Sequence, residues 1–314
     1  MLYLKEGDVE QLITVPDVID ALDTAFRDQA IGKAWTNPRQ RLRMPGTTLH
    51  MMAGAVPGYF GYKAYTVGAG KAHFLFFLFS AKTTDLLAIM EADRLGQIRT
   101  GAATGLATRI LANPDASEAV LFGAGWQAQS QLLAMDAVRN LKQVRIVNRN
   151  PERRDAFIAK MQPQVNARLV PASSAEEAVR SSHVVTTMTT SREPVLKGEW
   201  LQPGVHVNAA GSNALLRREI DGEAVTRANL IAVDSIEQAK IEVGEFLPVI
   251  ETGHRHWEDF TEFRDVVAGL KPGRRNPTDI TLFKSQGLAI EDVAAGKLVY
   301  ERAMARGLGR KLDL

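Results

Sequence analysis

The chain has 314 residues, 45% of them hydrophobic and 24% charged, with a net charge of +2. That is enough for two folded domains, and the near-balance of charge leaves no basic tract for nucleic acid or a polyanion. The absence of cysteine excludes disulfides, thiolate catalysis and cysteine metal sites. The six histidines show no metal spacing, so no metal is expected.

The opening stretch, MLYLKEGDVEQLI, carries Lys5, Glu6, Asp8 and Glu10 and lacks the long apolar core of a leader. TVPDVIDALDTAFRDQAIGKA then reads as a helix. Thr14 suits its cap, Pro16 its first turn, and Val18, Leu22, Ala25 and Phe26 share a face. From Asn37 the period falls to two. RQRLRM sets Arg39, Arg41 and Arg43 on one side of a strand. TLHMMAG, FGYKAYT, HFLFFLFS and LLAIMEA read as further strands of an antiparallel region. The run FLFFLF at 74–79 is too short to cross a bilayer and reads as a buried strand. A cytoplasmic protein without a membrane partner is expected.

Helical character returns in IRTGAATGLATRILA, 98–112, strands and helices then alternate from EAVLFGAG to NLIAVDS, 229–235, and SQGLAIEDVAAGKLVYERAMARGLG is helical again. Apolar strands alternating with helices imply a doubly wound parallel sheet. The fold class is therefore α/β, with a β-rich first domain over 1–112 and a Rossmann-type domain over 113–284.

Chemistry enters with VLFGAGWQAQ. Gly123-x-Gly125-x-x-Ala128 follows a strand and opens a helix, the context of a dinucleotide site. Gly123 allows the tight turn, Gly125 lets backbone amides reach a pyrophosphate, and Ala128 allows close helix–strand packing. Gln127 lies in the same turn. After the next strand, where NAD sites carry an acid for the ribose hydroxyls, stand Asn148 and Arg149. A guanidinium suits a 2′-phosphate, so NADP(H) is favoured, with NAD(H) possible.

On the substrate side, Lys63 sits inside an apolar strand, either pointing outward or buried with a purpose. Arg99 stands at the expected helix N-terminus, where the dipole disfavours a cation unless an anion accompanies it. Arg39, Arg41 and Arg43 offer a further anchor, of which one or two are expected to point inward.

RQRLRMPGTTLHMMAG with GYFGYK, IRTGAATGLAT, GAGWQAQSQ, VNAAGSN and LFKSQGLAIED occur in an order and spacing that resemble the ornithine cyclodeaminase/mu-crystallin family. The resemblance covers nearly the whole chain. It implies a substrate-binding and dimerisation domain to which residues 285–314 return, and a homodimer. It implies that Lys63 lies near the reacting carbon, and that Arg99 and either Arg39 or Arg41 hold a substrate carboxylate. Thr187, Met188 and Thr189 would wall the nicotinamide with the segment after Val207, and Lys284 and Ser285 would lie near the cofactor. In cyclodeaminases the segment resembling NAAGSN ends in aspartate; here it ends in Asn213, and an amide is no general base near neutral pH. The favoured activity is reduction of a small cyclic imine or ketimine 2-carboxylate to an L-amino acid, with Asn213 orienting the substrate. Cyclodeamination of ornithine, an alanine-dehydrogenase-like reaction and a redox-silent NADPH-binding role are the alternatives.

Overall fold

The first strand, β1 (Leu2–Leu4), leads into α1 (Glu6–Leu12) and α2 (Val15–Ala30). Thr14 caps α2: its hydroxyl accepts from the Asp17 amide, and the Asp17 carboxylate accepts from the Thr14 amide. Val18, Ile19, Leu22, Ala25 and Phe26 form its buried face. The period-two sequence follows as β2 (Trp35–Thr36), β3 (Gln40–Met44), β4 (Thr47–Val56), β5 (Tyr59–Gly68), β6 (Lys71–Ser80) and β7 (Leu86–Glu91). Next, α3 (Asp93–Leu111) begins earlier than the sequence pattern indicates. Glu6 is the reason: its two carboxylate oxygens accept from the Asp93 and Arg94 amides at 2.7 and 2.8 Å and cap the helix there.

Strand and helix then alternate through β8 (Glu118–Phe122), α4 (Trp126–Val138), β9 (Gln143–Val147), α5 (Pro151–Met161), β10 (Arg168–Pro171), α6 (Ala175–Arg180), β11 (Val184–Thr187) and β12 (His206–Ala209). They continue through α7 (Gly222–Arg227), β13 (Leu230–Val233), α8 (Ile236–Glu242), α9 (Leu247–Glu251), β14 (Thr261–Glu262), α10 (Phe263–Val267) and β15 (Thr281–Lys284). The last elements are α11 (Ala289–Arg306) and β16 (Arg310–Lys311). The computed structural model describes residues 1–313. The chain divides into two units, one of Met1–Ala102 with the segment from Gly287 onward, the other of Ala103–Gln286. The cut falls inside α3, whereas the sequence pattern set a boundary after that helix, at 112.

In the first unit the sheet runs β16-β1-β7-β6-β5-β4-β2, with β3 also paired to β4. Its pairs are antiparallel except β1 with β7. One face packs closely on α11, and glycines make the room. A Cβ on Gly61 would stand 2.4 Å from Val293, and one on Gly54 would stand 3.1 Å from the Ile290 amide. Phe76 and Leu78 of β6 are buried, while Leu75, Phe77 and Phe79 keep some exposure. The apolar run is thus buried on one face of the sheet, not on both.

In the second unit the sheet is parallel throughout, in the order β10-β9-β8-β11-β12-β15-β13-β14. The order reverses between β8 and β11, as in a doubly wound fold. Both faces are covered. Val120, Val207 and Leu282 pack with Phe246 and Phe260, and Leu121, Val144 and Ile146 pack with Leu132 and Phe157. Among the described residues, no helix is long and apolar enough to cross a membrane.

Candidate active site

Two groups of side chains emerge, one in each unit. In the first, Lys63 Nζ on β5 donates to Asp292 Oδ1 at 2.8 Å. The same oxygen accepts from Arg99 Nε at 3.0 Å, and Arg99 Nη1 donates to Glu291 Oε2 at 2.9 Å. Neither Arg99 bond uses Nη2. Arg39, just before β3, donates through Nη2 to the Gly287 carbonyl at 2.9 Å and faces the Met52 sulfur with Nε. Arg39, Lys63 and Arg99 are 5%, 2% and 7% exposed, and both carboxylates are fully buried. Glu291 and Asp292 occupy the first turn of α11, where the helix dipole favours acids. Gly287 makes the turn into that helix at φ +78°, and a Cβ there would stand 2.2 Å from Arg99 Nη1.

Arg99 is therefore not at a helix N-terminus. Its helix starts at Asp93, and its buried charge is met by two carboxylates instead of a dipole. Burial opposes that charge, but Asp292 and Glu291 outweigh it and raise the guanidinium pKa. Burial pulls the Lys63 ammonium down to about 8; Asp292 works against that, while Arg99 and Arg39 add to it. Burial also pushes Glu291 up toward its neutral form, against the pull of Arg99. Three buried cations thus face two carboxylates, one of them biased toward neutrality. Three cationic side chains buried together make a place that an anion can join.

Arg41, half-buried on β3, pairs across the sheet with His50 on β4. His50 stacks on Tyr65 at 4.3 Å, and Tyr65 on Phe74 at 5.0 Å. Burial, then Arg41, Arg39, Arg43 and Lys63, push the imidazole down to about 4, so it is neutral near pH 7. Of the two candidate arginines, Arg39 joins the buried cluster and Arg41 lies beside the ring stack.

In the second unit the candidates gather at the carboxyl ends of the strands, where open α/β sheets take ligands. Gly123 has φ +113°, and a Cβ on it would stand 2.2 Å from the Met188 carbonyl oxygen. A Cβ on Gly125 would meet nothing within 4 Å, so the backbone is open to a close approach there. Side chains of Asn150, Ser174, Asp221 and Ser235 cap α5, α6, α7 and α8, but α4 has no side-chain cap after Gly125. A helix N-terminus that follows glycine in place of a capping side chain is the kind that takes an anion. Ala128 is fully buried, and the Gln127 Oε1 atom is buried with no hydrogen-bond partner.

Past β9, Asn148 Oδ1 accepts from the Asn150 amide at 2.9 Å and closes the turn. Arg149 is exposed, with no ion-pair partner among the described residues. Thr187 ends β11 and Met188 and Thr189 follow it, and Asn213 lies half-buried in the loop after β12. Ser285 is buried after β15. Lys284 is fully buried and donates to the Ser212 carbonyl at 2.9 Å and Glu245 Oε1 at 3.1 Å.

Sequence reasoning gave no role to Glu291, Asp292, Glu219 or Glu245. The first two close the segment LFKSQGLAIED, and two adjacent acids at the start of an apolar helix were the available signal. Nothing local marks Glu219 or Glu245.

Residues 2–307 match the ornithine cyclodeaminase/mu-crystallin family. The alanine dehydrogenase of Archaeoglobus fulgidus is 36% identical over 320 residues, covering 99% of this chain and 98% of that one. The structure of Thermococcus litoralis Delta(1)-pyrroline-2-carboxylate reductase in complex with NADH and L-proline aligns with a TM-score of 0.95 at 33% identity, covering 99% of this chain and 100% of that one. An archaeal alanine dehydrogenase dimer with bound NAD aligns with a TM-score of 0.94 at 35% identity, covering 100% of this chain and 99% of that one.

Proposed function

Because this chain belongs to the ornithine cyclodeaminase/mu-crystallin family, we propose that it is an NAD(P)H-dependent oxidoreductase that reduces a small cyclic imine 2-carboxylate to an L-amino acid. The burial of Arg39, Lys63 and Arg99 in one cluster, with Arg99 Nη2 outside both of its carboxylate bonds, carries this reading. Arg99, through Nη2, and Arg39 hold the carboxylate, with Arg41 at the edge. The Lys63 ammonium, kept charged by Asp292, donates to the imine nitrogen and makes its carbon electrophilic. Asn213 orients the substrate by hydrogen bonding and takes no proton.

Gly123, Gly125 and the uncapped amides of α4 would hold the cofactor pyrophosphate beside Gln127, with Ala128 letting the helix approach. Thr187, Met188, Thr189, Ser285 and the loop to Asn213 would wall the nicotinamide. When bound, the reduced nicotinamide supplies the hydride. Asn148 and the open Arg149 guanidinium favour a 2′-phosphate, hence NADP(H). The two solved relatives named above hold NADH and NAD, so this preference rests on Asn148 and Arg149 alone. The alanine dehydrogenase relatives support a second reading, the same site acting on an acyclic imine.

A homodimer is part of the proposal. The face of the first sheet that points away from α11 carries Met51, Ala53, Phe60, Tyr62, Ala64, Leu75, Phe77, Phe79 and Ile89 in register, an apolar patch with Glu91, opposite Leu75, at its border.

The test is absorbance at the NADPH band with purified protein and pyrroline- or piperideine-2-carboxylate, run in parallel with NADH. Rapid loss with NADPH supports the reductase and the role of Arg149. No loss with either cofactor, but ammonia released from ornithine, makes the chain a cyclodeaminase.

A further inference from the structure

Glu219, fully buried between β12 and α7, spends its whole carboxylate on two loops. Oε1 accepts from the Thr189 amide at 2.5 Å. Oε2 accepts from the Gly211 amide at 2.6 Å and the Thr187 hydroxyl at 3.0 Å. Thr187 is the last residue of β11, Thr189 belongs to the loop that leaves it, and Gly211 to the loop that leaves β12. Space is tight: a Cβ on Gly211 would stand 2.5 Å from both Glu219 Oε1 and the Thr189 nitrogen. Behind this contact, Glu245 Oε1 accepts from the Glu219 amide at 3.3 Å and from Lys284 Nζ at 3.1 Å. Lys284 also holds the Ser212 carbonyl. Glu245 Oε2 is buried with no partner.

Two carboxylates and one ammonium buried together are a poor way to stabilise a core, where apolar residues of like volume serve as well or better. The bonds have a common destination, though: the backbone and hydroxyl groups of the two strand-end loops. In the doubly wound order the adenosine half of a dinucleotide belongs to the β8–β10 side of the reversal, which leaves β11 and β12 to the other half.

We propose that Glu219 is a positioning residue for the nicotinamide end of the cofactor, a clamp that fixes the β11 and β12 loops against each other, with Glu245 and Lys284 holding the clamp in place. The proposal rests on the dinucleotide reading of this unit. Its test separates the two ends of the ligand. Trp126, exposed at the start of α4, reports binding by fluorescence. The full-length chain is titrated with NADPH and with 2′-phospho-ADP-ribose, which lacks the nicotinamide; NADH and ADP-ribose form a parallel pair.

Glu219→Gln keeps the shape but cannot accept from both amides. It is expected to weaken the dinucleotide roughly tenfold or more, and to leave the nicotinamide-free ligand within about twofold. Gly211→Ala, which wedges the clamp open without touching its charge, is expected to give the same split and decides the matter if Glu219→Gln does not fold. Equal losses for both ligands, or none for either, overturn the clamp. A wild-type chain that binds no dinucleotide overturns the reading beneath it as well.

Discussion

At the scale of single residues, Lys63 and Asp292 set each other's charge. Burial pulls the Lys63 ammonium down, the Asp292 carboxylate at 2.8 Å works against that pull, and the ammonium stands at about 8. Reduction needs that proton, so kcat/KM for imine reduction should fall as pH rises through about 8. Asp292→Asn removes the group that raises the Lys63 pKa, so the alkaline limb should move to lower pH. An unmoved limb in that variant, read from pH–rate profiles, would contradict the coupling. Lys63→Met should cut turnover by roughly 100-fold or more while dinucleotide affinity stays unchanged; full activity would remove Lys63 from the site. The lysine itself was visible in the sequence as a charge inside an apolar strand, but its direction was open. Its partner lies 229 residues away, and no local period encodes a pair at that separation.

The same contrast holds between elements. Thr14 and Asp17 sit three residues apart, so the capping box of α2 is legible, and the helix begins where the pattern says. The start of α3 was misplaced because its cap, Glu6, comes from another helix, 87 residues earlier for Asp93. With the helix starting at Asp93, Arg99 lies inside α3 and not at its terminus. Glu6→Ala leaves the Asp93 and Arg94 amides without their shared acceptor at the positive end of the α3 dipole. It should lower stability by about 1 to 2 kcal/mol, somewhat more than Thr14→Ala at about 1 kcal/mol. Urea unfolding would show this as a shifted midpoint at constant slope, and a Glu6→Ala midpoint equal to wild type would show that the cap contributes nothing. The parallel strands of the second unit are readable from β8 to β13, each with its own apolar run, whereas β15 and the two-residue β14, Thr261–Glu262, carry too short a signal to be read as strands.

For the whole molecule, the run FLFFLF poses the remaining question. A strand apolar at successive positions has no side to give to water, and such strands are normally covered on both faces. In the single chain α11 covers one face, while Phe60 and Leu75 on the other are 49% and 39% exposed beside Tyr62, Phe77 and Phe79. A second copy meeting this face about a twofold axis would supply the missing cover, because an isologous contact sets the same apolar patch against itself. Light scattering should then give about twice the 34.4 kDa chain mass for the wild type. Phe77→Asp places a carboxylate at the centre of that face, and burying an unpaired charge in the interface costs several kcal/mol. The variant should therefore run as a single chain while still binding dinucleotide, since the dinucleotide residues belong to the other unit. A wild type that is already monomeric, or a Phe77→Asp variant that stays dimeric, would mean that this face is covered by something other than a second copy.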